Sequence, residues 1–244
     1  MVLITLNSLD LLNGTLNWIF ISVSVILGIL IIRKYFKNKN KDFMLVGLTW
    51  ILITSGWWGT SVSFLIALLF RNDGLSFEMI MLINFIPLPI GLVLWLIAYS
   101  HFTRTRLKFI ILGGMGIVAF IFYYQLFYNL LTDLSKIGRK LSPVDMTGES
   151  IELSIYLLIL MLIFLISGIH FAIKTMKIDT PETKIRGKIL LLAFPLFILG
   201  AMLDSLFYST EFTLILFRSI LTVSSITFYT GFILPSWIKK FFLK

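Results

Sequence analysis

The chain has 244 residues, 58% of them hydrophobic and 14% charged, with a mean hydropathy of +0.98. A soluble domain carries about a quarter charged residues, so lipid must be the solvent for much of this apolar surface. The absence of cysteine excludes disulfides, thiolate nucleophiles, zinc ribbons and iron–sulfur clusters. Two histidines cannot build a three-histidine metal site, and the net charge of +9 is distributed as a topology signal rather than as a nucleic-acid footprint.

A helix needs about 20 apolar residues to cross the hydrocarbon core. Seven stretches meet that length, at residues 16–36, 43–70, 77–102, 107–131, 151–173, 189–208 and 212–238. The first has no basic segment before it and no small-residue cleavage site, and reads as an uncleaved span. The second carries Thr54-Ser55-Gly56-Trp57-Trp58-Gly59-Thr60-Ser61 near its middle. Tryptophan prefers the interface, so a Trp57–Trp58 pair at mid-depth is expected to floor a pocket. The third contains Asn84, Pro87 and Pro89. Each proline removes a backbone donor and disturbs the carbonyl one turn back, which predicts a kink.

The fourth stretch presents Tyr124, Gln125 and Tyr128 toward its end. The polar loop 132–150 follows, with Gly138, Pro143 and Gly148, and is long enough to fold as a small lid. The fifth opens on Glu152 and Tyr156. The sixth holds Pro195, a second expected kink, and a small-residue face of Gly200, Ala201, Asp204 and Ser205 that permits close approach of a neighbour. Only Ser209, Thr210 and Glu211 separate it from the seventh, but the combined run is far too long for one crossing, so a tight helical hairpin is predicted. In the seventh, Arg218, Thr222, Ser225 and Tyr229 recur at helical spacing and form a polar stripe that should point inward. No internal repeat is visible, which weighs against a duplicated transporter.

The positive-inside rule orients the chain. Arg33, Lys34, Lys37, Lys39 and Lys41 follow the first span. Arg104, Arg106 and Lys108 lie between the third and fourth, and Lys174, Lys177, Lys184, Arg186 and Lys188 between the fifth and sixth. Lys239, Lys240 and Lys244 follow the seventh. Together these are 16 of the 21 basic residues, and only Asp42, Asp179 and Glu182 of the 12 acidic residues share their side. All four basic segments fall on one side only if the number of crossings is seven. The expected fold is therefore an all-α, polytopic, seven-transmembrane-helix bundle over residues 1–244, in the cell membrane, with the N-terminus outside and the C-terminus cytoplasmic.

Ionisable groups inside the bilayer are costly and usually face a partner or a cavity. Two lie deep, Asp204 and Arg218. At 1.5 Å per residue, Asp204 sits about 8 Å below the outer end of the sixth span and Arg218 about 10 Å below that of the seventh. The matched depths predict an Asp204–Arg218 ion pair, either a clamp for helix register or part of a ligand-linked switch. An outer-half cavity is expected around the pair, lined by Trp57, Trp58, Asn84, Tyr124, Gln125 and Glu152, with Glu78, Tyr128 and Tyr156 at similar depth. His101 and His170 lie near cytoplasmic helix ends and read as interfacial residues. No metal site and no cofactor are expected.

Seven helices with the N-terminus outside match the topology of rhodopsins and seven-helix receptors. No lysine occurs from 189 through 238, which excludes a retinal Schiff base, and the serine, histidine and aspartate pattern of seven-helix membrane hydrolases is missing. The run Phe228-Tyr229-Thr230-Gly231-Phe232-Ile233-Leu234-Pro235-Ser236-Trp237-Ile238-Lys239-Lys240, within Arg218 to Phe242, resembles the last helix of uncharacterised prokaryotic, especially archaeal, seven-helix membrane proteins. It is also similar to that of the seven-helix sensor module of some histidine kinases. The resemblance implies a receptor-like or sensor-like protein that takes a small ligand or lipid in its outer cavity. In those kinases a catalytic region follows the seventh helix. Here signalling is expected to pass through a separate cytoplasmic partner, with the bilayer and a second copy of the chain as further partners and no role for nucleic acid. The alternative is a transporter or channel for a small solute or ion, with Asp204 as a coupling charge. No nucleophile–base pair stands out, so an enzyme is not expected.

Overall fold

A computed structural model describes residues 6–207 and 209–242. Tyr208, the expected end of the sixth span, and Lys244 lie outside the described residues. In chain order the elements are α1 (Ser8–Asn38), α2 (Lys41–Ile53), a 3-10 turn (Thr54–Trp57), α3 (Trp58–Phe70), α4 (Phe77–Phe85), α5 (Pro87–Thr103) and α6 (Lys108–Thr132). A second 3-10 turn (Leu134–Lys136) leads into β1 (Gly138–Ser142) and β2 (Asp145–Gly148), then α7 (Ile151–Met176), α8 (Pro181–Leu206), α9 (Glu211–Ile233) and α10 (Ser236–Phe242). Among the described residues, seven helical spans are long and apolar enough to cross a membrane, counting α2–α3 and α4–α5 as one each.

The helix starts follow from local chemistry. Side-chain oxygens of Asn7, Asn40, Ser76, Ser150, Thr180 and Thr210 each accept from a backbone N–H of the first turn and satisfy donors that would otherwise be orphaned. Asn7 and Asp10 form a reciprocal capping box, which starts α1 at Ser8 rather than at residue 16. An apolar window passes over this first segment because it carries Asp10, Asn13 and Asn17, all buried. At the other end of the bundle, the Arg186 guanidinium donates to the carbonyls of Phe232 and Ile233 and satisfies the last turn of α9.

Two spans are broken. The third breaks at Ile86, immediately before Pro87 at the first position of α5, as the prolines predict. The Ser55 hydroxyl donates to the Asn84 carbonyl at 2.8 Å and the Tyr123 hydroxyl to the Ile86 carbonyl at 2.6 Å, which serves backbone acceptors beside the break. The second break, the 3-10 turn in the middle of the second span, is not predicted by any proline. It surrounds Gly56 and turns Trp57 toward the bundle centre. By contrast, α8 stays helical through Pro195.

Six spans close a ring. α1 packs against α2 and α9, α8 against α9 and α7, and α5 against α7 and α2, while α6 rests outside against α5 and α7. α1 and α2 cross in close contact. A Cβ on Gly47 would come within 2.6 Å of the Gly28 carbonyl oxygen, so only glycine lets these backbones meet. The end of the ring that carries the basic loops is filled by aromatic side chains. Trp50 stacks on Phe228 at 4.0 Å, Trp95 packs against Phe164 and Phe194 at 5.6 and 5.1 Å, and Phe171 stacks on Phe232 at 5.6 Å.

The loop between α6 and α7 is the expected small lid, but its form is a β-hairpin, which helical periodicity cannot announce. Gly138 pairs with Gly148 and Ser142 with Asp145, leaving Pro143 and Val144 at the tip. Three ties hold it over the bundle. Lys140 donates to the carbonyls of Asp73 and Leu75, the Asn13 amide donates to the Val144 carbonyl at 3.3 Å, and Ile137 and Met146 pack with Phe122 and Leu126.

Candidate functional site

Beneath the hairpin lies a cavity of 560 Å³. α1 contributes Asn13 and Asn17, the second span Ile53, Gly56, Trp57 and Thr60, α5 Leu88 and Leu92, and α7 Leu160 and Phe164. Phe197, Ala201 and Asp204 come from α8, Arg218 from α9, and Val144–Gly148 from the hairpin. Exposed Leu141, Leu206 and Phe207 mark its mouth, between the hairpin tip and the α8–α9 turn. Phe164 and Phe197 form its floor, and below them the fully buried Trp50, Trp95, Phe194 and Phe228 leave no room for solvent. The size and the mixture of apolar walls with a few convergent polar groups are those of a small-molecule site.

The polar centre is built from four elements. Arg218 Nη1 donates to Asp204 Oδ2 at 2.5 Å, and Trp57 Nε1 donates to the same oxygen at 2.8 Å. Arg218 Nη2 reaches Asn13 Oδ1 at 3.4 Å, and the guanidinium lies 5.7 Å from the centre of the Trp57 ring. The side chains of Arg218 and Asp204 are only 7% and 15% exposed. Three buried polar atoms on the cavity wall, Arg218 Nε, Asn17 Oδ1 and Thr147 Oγ1, have no hydrogen-bond partner. Such groups are costly unless something pairs with them.

Asp145, on the hairpin, faces this centre. Burial pushes its carboxyl above the usual aspartate range, and the negative charges of Asp204 and Asp10 push the same way. Hydrogen bonds from the Met146 N–H and from Ser209 oppose the shift without reversing it.

Of the residues expected to line the cavity, Trp57, Asp204 and Arg218 do so. The others are placed elsewhere. Asn84 is fully buried between α3 and α4, where its Oδ1 accepts from the Gly59 N–H at 2.6 Å. Trp58 packs into the core outside the cavity, and its indole N–H is unpartnered. Tyr124 is 61% exposed and stacks on Tyr128 along the outer face of α6. Gln125 is half-buried on the same peripheral helix. Glu152 is exposed and accepts from the Ser150 hydroxyl at 3.0 Å near the start of α7. Glu78 is exposed too, and Tyr156 packs beside Phe122. The common reason is geometric: depth selects a rung of the helix, and packing selects the direction. α6 stands outside the ring, so its aromatic residues at the right depth point away from the cavity.

The sequence reading missed Asn13, Asn17, Gly56 and Asp145. The Asn7–Asp10 capping box was the available signal for the first two, since it extends the first span back over them. The polar stripe of α9 divides between two surroundings. Ser225 bonds to Ser24 of α1 at 2.8 Å, whereas Thr222 borders an outer groove with Leu16 and Ile19. Near the basic end, His101 pairs with Asp42 at 2.8 Å and His170 with Tyr99 at 2.7 Å. No group of His, Asp and Glu with metal-binding geometry occurs among the described residues. The chain matches no known protein-family model, no curated protein and no solved structure.

Proposed function

We propose that this protein is a receptor-like or sensor-like membrane protein. Its N-terminus and hairpin face outward and its basic loops face the cytoplasm. The hairpin-end cavity binds a small, partly apolar ligand or a lipid, and the signal passes to a separate cytoplasmic partner. The observation that carries this reading is the one-ended cavity, with a mouth beneath the hairpin and an aromatic floor packed solid toward the basic end. Such a cavity holds a ligand without offering it a path through. The floor residues lie on α7 and α8, whose far ends reach the basic loops, and this gives occupancy a mechanical route to the cytoplasmic face. The likeness of Arg218–Phe242 to the last helix of kinase sensor modules points the same way.

A second reading, a transporter, draws on the paired breaks in the second and third spans, because discontinuous helices beside a buried charge are a feature of transporter sites.

The deciding experiment starts from the protein in lipid nanodiscs. Thermal unfolding is followed across a library of metabolites and lipids for wild type and for Gly56→Leu. Gly56 lines the cavity and a Cβ on it meets no atom within 4 Å, so a leucine there has open space to project into and narrows the cavity. Compounds that stabilise wild type and not Gly56→Leu are cavity ligands. The best of them is then offered to proteoliposomes. Binding without uptake supports the receptor reading, and saturable uptake replaces it with the transporter.

A further inference from the structure

The charges around the cavity do not balance. Among the residues that line it, only Asp145, Asp204 and Arg218 are ionisable as charged groups, two carboxylates against one guanidinium. Two of the guanidinium nitrogens, Nη1 and Nη2, are already committed to Asp204 and Asn13. Asp145 has no cationic partner among the described residues. It accepts from the Met146 N–H at 2.9 Å, and the carboxylates of Asp204 and Asp10 act on it with the same sign. A second, independent feature points to a missing donor. Asn17 is 1% exposed and lines the cavity, and its Oδ1 accepts from nothing.

We propose that the cavity binds a monocationic amphiphile, with an ammonium group held by Asp145, Asp204 and the Asn17 carbonyl, and with its apolar body against Leu88, Leu160 and Phe197. This inference rests on the cavity being a ligand site. An ammonium brings the donors that Asn17 and Asp145 lack, and one positive charge cancels the net charge of the lining. An anion would find only the one unpartnered Arg218 donor, Nε–H, and would add a third negative charge to the lining. A neutral polar head would leave the repulsion between the carboxylates in place. The raised carboxyl of Asp145 adds a pH signature. The groups that face it are Asp10 from α1 and Asp204 from α8, with Ser209 from the α8–α9 turn. Binding of the amine weakens as pH falls and Asp145 takes up its proton.

The test uses three probes with one apolar body and different heads: 4-phenylbutylamine, 4-phenylbutanol and 4-phenylbutyrate. Each is titrated calorimetrically into the protein in nanodiscs at pH 7. The amine is expected to bind about tenfold or more tightly than the alcohol, as a charge-assisted contact allows, and the acid not at all. Asp145→Asn should remove most of the amine's advantage and leave the alcohol within about twofold of wild type, because the substitution takes away the charge and not the shape. Gly56→Leu should abolish binding of both. Equal affinity for amine and alcohol, or tightest binding of the acid, overturns the ammonium assignment while loss of binding in Gly56→Leu keeps the cavity as the ligand site. No binding of any probe, or binding that Gly56→Leu leaves unchanged, overturns the cavity reading and this inference together.

Discussion

The Asp204–Arg218 pair permits a quantitative test of what the buried charges do. Consider Asp204→Asn, Arg218→Gln and the two combined. Because the side chains are 15% and 7% exposed, each single change leaves one charge buried without its counter-ion. That costs roughly 3–5 kcal/mol, against at most about 1 kcal/mol for an exposed pair. The double variant strands no charge. Its asparagine oxygen still accepts from Trp57 Nε1, so it should lie within about 2 kcal/mol of wild type. A loss of 1 kcal/mol lowers the Tm of a chain of 150–250 residues by about 2–4 °C, so each single variant should lose on the order of 10 °C and the double far less. Tryptophan fluorescence during heating in nanodiscs reads all four proteins, since Trp57 touches the pair. If the loss in the double variant equals the sum of the two singles, the residues act independently and the coupled-pair argument is wrong.

Three other outcomes follow from the same contacts. Gly56→Leu should raise the Tm slightly, because a side chain in open space costs no packing and reduces unfolded-state freedom by about 0.4–1 kcal/mol; a lowered Tm would mean that the cavity is not open at Gly56. Asp145→Asn should stabilise the protein at pH 7. A carboxyl raised on folding gives stability that is fully present below its unfolded value, near 3.8, and lost as pH rises through the folded value. The advantage of the variant should therefore vanish in acid, and an advantage independent of pH would rule out the titration of Asp145 as its source. Gly47→Val should destabilise by about 1–3 kcal/mol or more, because its Cβ meets the Gly28 carbonyl and forces α1 from α2; wild-type stability in a denaturation series would contradict the close crossing.

Much of the architecture is legible in the residues because a membrane helix obeys few rules. From residue 43 onward apolar length alone sets the spans, and their starts and stops lie within several residues of the observed helix ends except at the start of the sixth. There α8 begins at Pro181, eight residues before 189, because its first turns carry Glu182, Lys184, Arg186 and Lys188. α1 also begins eight residues early, because Asp10, Asn13 and Asn17 are buried inside the bundle and so violate the length rule where the cavity lies. The break before Pro87 is written in the proline, whereas the 3-10 turn at Thr54–Trp57 has no such marker and depends on packing of Trp57 against Asp204 and Phe20. The hairpin escaped because a short two-stranded element stands only through its ties to Asn13, Asp73 and Leu75, all distant in sequence.

The sequence alone determines the number of long apolar helices, the segregation of basic loops, and the heights of Asp204 and Arg218, since helical rise is fixed at about 1.5 Å per residue. Direction around each helix axis is a different quantity. In a soluble bundle the polar face would reveal it, but here the outer faces are as apolar as the core and the amphipathic signal is lost. Phe122 is fully buried and Tyr124, two residues on, lies outside, and nothing in their order says which. Only the tertiary structure decided that α6 stands outside the ring, that Asn13, Asn17 and Asp145 converge on the ion pair, and that Gly56 opens a space beside them.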